Sequence, residues 1–179
     1  TIPSPVAAEN GQIELAKLLV EAGGEGLVMA VRHDGSSALL LVAQTGDIEM
    51  VRLLIAAGGS QLVHLVRRDG ASSLHIAAQN KHLEIDSGGK ELVAAVTNDG
   101  TSALHQAAQK GHIEVSKLLV ESGGTELVRA VRRDGASALL LAVQHGHVEI
   151  VKLLIEQGQA DVMAVMLDGK SALHFAAEN

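Results

Sequence analysis

The chain has 179 residues and a formal charge of −7; it is 47% apolar yet holds one Phe and neither Tyr nor Trp. An aliphatic core is therefore within reach. An acidic balance without aromatics argues against nucleic acid, which needs phosphate-neutralising cations or stacking platforms. With no cysteine, disulfides, thiolate nucleophiles and Cys-based zinc sites are excluded.

Asp-Gly dipeptides divide the chain: Asp34-Gly35, Asp69-Gly70, Asp99-Gly100, Asp134-Gly135 and Asp168-Gly169, spaced by 35, 30, 35 and 34 residues. Regular spacing of this kind is the mark of a repeat architecture. Residues 1–33 form a partial repeat, in which AAENGQIELAKLLVEAGG (7–24) matches the others from the end of a first helix onward. Neither a basic region nor an apolar run resembling a secretion signal opens it.

The next repeat, 34–68, carries SALLLVAQTGDIEMVRLLIAAGG (37–59), which reads as helix, tight turn and helix. The repeat 69–98 is short. NKHLEIDSGGKELV (80–93) aligns with KGHIEVSKLLVESGGTELV (110–128) only if five residues are missing after Ile85, and these would hold the Leu-Leu pair of the second helix. Either a shortened helix bridges a real deletion or a segment is absent; a Cα–Cα distance of about 3.8 Å across Ile85–Asp86 marks a continuous link.

The clearest copy lies in 99–133. Ser102 suits an N-cap, and Leu104, Ala107 and Ala108 share one helical face at i, i+3, i+4 spacing. Gly111 ends this helix, and a second from about His112 buries Val115, Leu118 and Leu119 before Gly123-Gly124 stops it. The repeat 134–167 repeats the pattern with SALLLAVQHGHVEIVKLLIEQG (137–158), and 168–179 closes on SALHFAAEN, a first helix without its second. One amphipathic pair cannot bury its own apolar face, whereas stacked copies can.

Ser102-Ala103-Leu104-His105, Gly111-His112-Ile113-Glu114 and Leu118-Leu119, with Gly146-His147-Val148-Glu149 and Leu153-Leu154, resemble the ankyrin repeat family over essentially the whole chain. The resemblance implies an all-α solenoid of stacked helix-turn-helix repeats with projecting loops, forming a single domain over 1–179. Three features depart from the family pattern. Ala or Ser replaces the helix-starting Pro in every internal copy, most repeats exceed 33 residues, and the third is short. The excess lies in connectors such as GTELVRAVRRDG (124–135), which fit a strand or a helical turn; a helical turn is favoured.

Catalysis has little behind it. His75, His105 and His174 share a position that Leu40 and Leu140 occupy elsewhere, so they read as packing histidines bonded near helix starts. His82, His112 and His147 share one taken by Asp47 and Gln12, which suits side chains that bond backbone in the turn. His145 and His147 have a zinc-like spacing but no third ligand. Glu14, Glu49, Glu84, Glu114 and Glu149 fall in the first turn of each second helix, where the dipole favours negative charge. The Gly-Gly pairs follow helices rather than lead into them, a C-cap signal and not a phosphate cradle. No cofactor, metal site or enzyme activity is expected.

The expected function is non-catalytic binding of a protein partner, of a kind the sequence does not name, through loop tips and the concave face of the first helices. At the tips the candidate contacts are Arg67, Arg68, Arg132 and Arg133; after the paired small residues they are Gln109, Lys110, Gln144 and His145. The bland reading of the tips is a solvated turn whose Asp fixes local hydrogen bonds and whose Arg pairs with a neighbour. The alternative function is a structural fragment of a longer array, or an engineered scaffold, that self-associates end to end because neither end carries a polar cap. Leu173 and Phe175 would then face the neighbouring copy. No apolar run reaches a membrane span, and the expected location is intracellular and cytoplasmic, with neither membrane nor nucleic acid as partner.

Overall fold

The computed structural model describes residues 5–82 and 89–178. Helices alternate between two rows. The inner row is α2 (Ala38–Thr45), α4 (Ser73–Gln79), α6 (Ala103–Lys110), α8 (Ala138–Gln144) and α10 (Ala172–Glu178). The outer row is α1 (Pro5–Val28), α3 (Ile48–Val63), α5 (Gly89–Ala94), α7 (Ile113–Arg129) and α9 (Val148–Glu156). Each inner helix packs on the next, and α2, α6 and α8 each pack on the outer helix that follows them. The expected all-α ankyrin-like solenoid is what the chain forms.

Local chemistry sets the helix ends. Ser37, Ser102 and Ser137 are extended, and their hydroxyls accept from Leu40, His105 and Leu140 N–H at 3.4, 3.4 and 3.3 Å. With a serine cap in place, the helix starts do not need the family's proline. Leu39, Ala43, Leu104, Ala107 and Ala108 are then buried completely, their small neighbours letting adjacent helices approach closely. Glu49, Glu114 and Glu149 occupy first turns as expected; Glu84 lies outside the described residues.

The second helices break at Gly58-Gly59 and Gly123-Gly124 as expected, but a further helical turn follows each break. Gly59 (φ 58°, ψ −157°) and Gly124 (φ 60°, ψ −160°) kink the chain, and the resumed turns run to Val63 and Arg129. The first glycine of each pair serves space instead: a Cβ on Gly123 would sit 2.5 Å from Leu127 Cδ2. That resumed turn is the connector's favoured helical form, and it buries Leu62, Val63, Leu127 and Val128. Gly11, by contrast, does not turn the first unit: the helix continues through it from Pro5 to the kink at Gly24 (φ 56°, ψ −157°), placing Glu14 mid-helix.

Histidines link repeats rather than decorate them. His75 and His105 are buried; Nδ1 of each accepts from Ser72 or Ser102 N–H, and Nε2–H donates to Thr101 O (2.9 Å) or Ala136 O (3.1 Å) of the next repeat. The turn histidines bond backbone too, but not in their own turn. His82, His112 and His147 reach the carbonyls of Gln44, Gln79 and Gln109 in the preceding repeat at 3.2, 2.9 and 3.1 Å. Asp47, at the same position, caps its own helix by accepting from Met50 N–H.

The core is two clusters. One gathers Leu39, Leu54, Leu62 and Leu92, the other Leu104, Leu119, Leu139 and Leu154, and Leu74 packs against both. Among the described residues these clusters meet at the short third repeat. The Ile85–Asp86 link itself lies outside the described residues. Leu74→Ala is expected to lower stability by about 2 kcal/mol and to broaden or split the urea transition followed by circular dichroism.

Burial depresses His105 to about 4 and also lowers His75 from the usual 6.5. A second proton would in addition face the Ser102 N–H that Nδ1 now accepts. The unfolded chain therefore protonates first as pH falls, so this contribution is complete above about pH 6.5 and is lost on the way to 4. For His105 it is on the order of 3 kcal/mol. Replacing both by leucine, as at Leu40 and Leu140, leaves no orphan acceptor, because Thr101 O and Ala136 O still accept from Thr97 and Arg132 N–H. The variant should lose most of the fall in melting temperature that the parent shows between pH 7 and 4.5.

Candidate functional site

Each Asp-Gly tip is a closed hairpin. In the first, Val31 bridges Ser37, Arg32 N–H donates to Ser36 O, and Asp34 Oδ1 accepts from Ser36 N–H at 2.9 Å. Asp69, Asp99, Asp134 and Asp168 accept from residue i+2 in the same way at 3.0–3.2 Å. The tips are also joined to one another. Arg68, Asn98, Arg133 and Leu167 N–H donate to the carbonyls of Asp34, Asp69, Asp99 and Asp134. Glycine is required here twice over, since Gly35, Gly100 and Gly135 have φ of 84–85° and press on the next tip's backbone.

This geometry sorts the four tip arginines. Arg67 and Arg132 are half-buried and turn back into the tips. Arg67 pairs with Asp69, and Arg132 lies between Asp134 (3.3 Å) and Asp99 (3.6 Å) of the preceding tip. Hydrogen bonding from Thr97, with help from Thr101 and Arg132, holds Asp99 at about 2; pairing with Arg67 lowers Asp69. Arg68 and Arg133 are exposed and, among the described residues, their side chains form no ion pair. The bland reading thus fits one arginine of each pair and leaves the other available.

Between the tips and the inner helices runs a groove of about 240 Å³, lined by Arg67, Asp69, Ile76, Gln79, Asn98 and Gln106 among others. Gln106 was not singled out by sequence reasoning. Its signal was present: within the SALxxAA framework its position varies as Leu41, Ile76, Gln106, Leu141 and Phe175. The other candidates sit beside the groove's line at the ends of α6 and α8. Lys110, Gln144 and His145 are exposed and Gln109 partly so; His145 Nδ1 bonds Leu141 O, and its ring stacks 6.1 Å from that of His147. No group of three or more His, Cys, Asp or Glu is arranged to hold a metal among the described residues.

A second missed feature is a row of valines three residues before each tip aspartate. Val31, Val66, Val96, Val131 and Val165 are all about half exposed. Val96 and Val131 line grooves of about 660 and 510 Å³ between successive connectors. Phe175 corrects an expectation. It is buried beneath Lys170, whose Nζ is 5.4 Å from the ring centroid, whereas Leu173 is 81% exposed.

Helix pairs stacked in two rows with linked projecting hairpins define a solenoid of helical repeats. The family model for ankyrin repeats in three copies matches residues 6–87, 63–130 and 125–179, and the chain belongs to the ankyrin repeat family. Comparison with curated proteins gives no match. Ankyrin repeats generally mediate protein–protein interaction, and the family is typically non-catalytic. Among the described residues no helix is long and apolar enough to cross a membrane.

The linked tips can be tested by a matched pair of substitutions. Gly135 and Gly169 share a φ of 84°, but a Cβ would lie 2.9 Å from Leu167 N at the first and meet nothing within 4 Å at the second. Gly169→Ala should cost about 1 kcal/mol for conformation alone. Gly135→Ala should cost at least about 1 kcal/mol more, read as the difference between their urea midpoints.

Proposed function

We propose that the chain is a non-catalytic binding scaffold whose partner protein lies along the tips and the inner groove. The observation that carries this reading is the division of labour at the tips. One side chain of each arginine pair is spent on holding the hairpin, and its neighbour, Arg68 or Arg133, stands free on a backbone already fixed to the repeat before it. A preordered surface loses little conformational entropy on association. Gln79, Asn98 and Gln106 add hydrogen-bonding groups along the groove, with Gln109, Lys110, Gln144 and His145 continuing the polar edge.

The partner surface is acidic or mixed in charge, since Arg68 and Arg133 are its anchors and arginine serves well where planar carboxylates are met. Peptides selected from a display library on the immobilised chain provide the probe. They should be enriched in Asp and Glu, and Arg68→Glu with Arg133→Glu should weaken their binding at least tenfold with an unchanged melting temperature. Unaltered affinity in that variant would refute the tip reading.

A further inference from the structure

The side chains of a tip strand divide between two faces, and the free arginines share theirs with the valines. Along Val66-Arg67-Arg68 and Val131-Arg132-Arg133, whose valines bridge Ser72 and Ser137, alternate residues point the same way. The grooves show which face is which. Arg67 and Thr97 line the inner groove, whereas Val96 and Val131 line the two grooves between successive connectors. Arg68 and Arg133, two residues beyond Val66 and Val131, therefore stand on the connector side of the hairpin. Asn98, at the same position in the middle tip, is turned back instead, its Nδ2–H donating to Arg68 O at 2.9 Å.

That side carries an apolar row with charge of opposite sign along its two edges. Val66, Val96 and Val131 are half exposed in consecutive repeats. The groove of about 660 Å³ at Val96 is lined also by Ala94, Leu127 and Ala130, and by Glu121 and Glu126. These two glutamates are exposed and flank the kink of α7 at Gly124, away from the tips. At Val131 the groove of about 510 Å³ is lined by Ala160, Val162 and Ala164, with Arg129 and Asp161 carrying opposite charges beside them. The face is thus basic at the tips, apolar through the middle and acidic at the far side of the Val96 groove.

We propose that this face docks an amphipathic helix of a partner protein. Its apolar stripe lies along the valine row, its carboxylates meet Arg68 and Arg133 on one edge, and a cation on the other edge meets Glu121 and Glu126. The inference rests on the reading of Arg68 and Arg133 as anchors, and it adds the connector side of the tips to the surface that the partner covers. The period of the row favours a helix. Packed inner helices recur about every 8–10 Å, and the valines recur with them. Residues seven apart on a helix are about 10.5 Å apart, so each heptad brings one apolar side chain to each valine. Residues on one face of a strand recur about every 6.6 Å and fall out of step. The opposite charges along the two edges fix the register and direction of the docked helix.

Peptides of three heptads, selected on the immobilised chain from a library displayed on an alanine-based helical frame, are the probe. They should carry Leu, Ile or Val at seven-residue intervals, Asp or Glu along one edge of that stripe and Lys or Arg along the other. Their affinity, read by fluorescence anisotropy, should fall at least tenfold on Val96→Asp with Val131→Asp, and at least tenfold on Glu121→Lys with Glu126→Lys. All four side chains are exposed, so circular dichroism should stay that of the parent. Exchanging the peptide's cationic edge for glutamate should restore its affinity for Glu121→Lys with Glu126→Lys. Unchanged affinity in either double variant, or an exchanged peptide that recovers none, overturns the docking. If only Arg68→Glu with Arg133→Glu weakens binding, the anchors stand and the helix on the valine row is refuted. If that variant binds like the parent, the anchors fail and the docking fails with them.

Discussion

The constraint on which the structure depends is that no repeat satisfies itself. Its apolar face needs a neighbouring helix, and its hairpin needs a neighbouring carbonyl. Three kinds of polar bond meet this need at three heights on the repeat: tip N–H to aspartate carbonyl, inner histidine to the residue after the next tip glycine, and turn histidine to a glutamine carbonyl one repeat back. All use backbone acceptors, so side-chain identity elsewhere on the repeat is not consumed. A nearest-neighbour arrangement of this kind adds stability interface by interface, which makes its weakest interface decisive.

The third repeat, of which residues 83–88 lie outside the described ones, keeps both its tip and its inner helix in register. Among the described residues Leu74 packs against both apolar clusters, and the tip bonds pass through without a break, from Arg68 to Asp34 and from Asn98 to Asp69. The inner row is also continuous, with α4 packed on both α2 and α6. The groove beside Gln79 and Gln106 lies at this repeat and the next.

Much of this was legible in the sequence, because local chemistry decided it. A serine before an i, i+3, i+4 apolar face gives a capped helix whatever the tertiary context, and Asp-Gly gives the tip. What was not legible involves choices that depend on a second element. Gly124 reads as a helix stop and does break the helix, but the further turn that buries Leu127 and Val128 beyond it was not marked by the sequence. Gly11 looks like a turn, yet the helix continues through it. The turn histidines looked local, and only the stack shows that Gln44, Gln79 and Gln109 carbonyls lie within their reach. Phe175 looked like an end residue, but Lys170 covers it.

The same logic explains why adjacent residues of one type can have different roles. Arg67 and Arg68 are indistinguishable by composition, and so are Arg132 and Arg133. Alternation along an extended hairpin strand sends neighbouring side chains to opposite sides, so only one of each pair can return to the tip aspartate. The second arginine instead contributes its backbone N–H to the neighbouring tip and presents its side chain outward. Its position is therefore fixed by main chain alone, and a change of that side chain alters the surface without loosening the stack. A repeat can in this way vary its contacts while each tip remains bonded to the one before it.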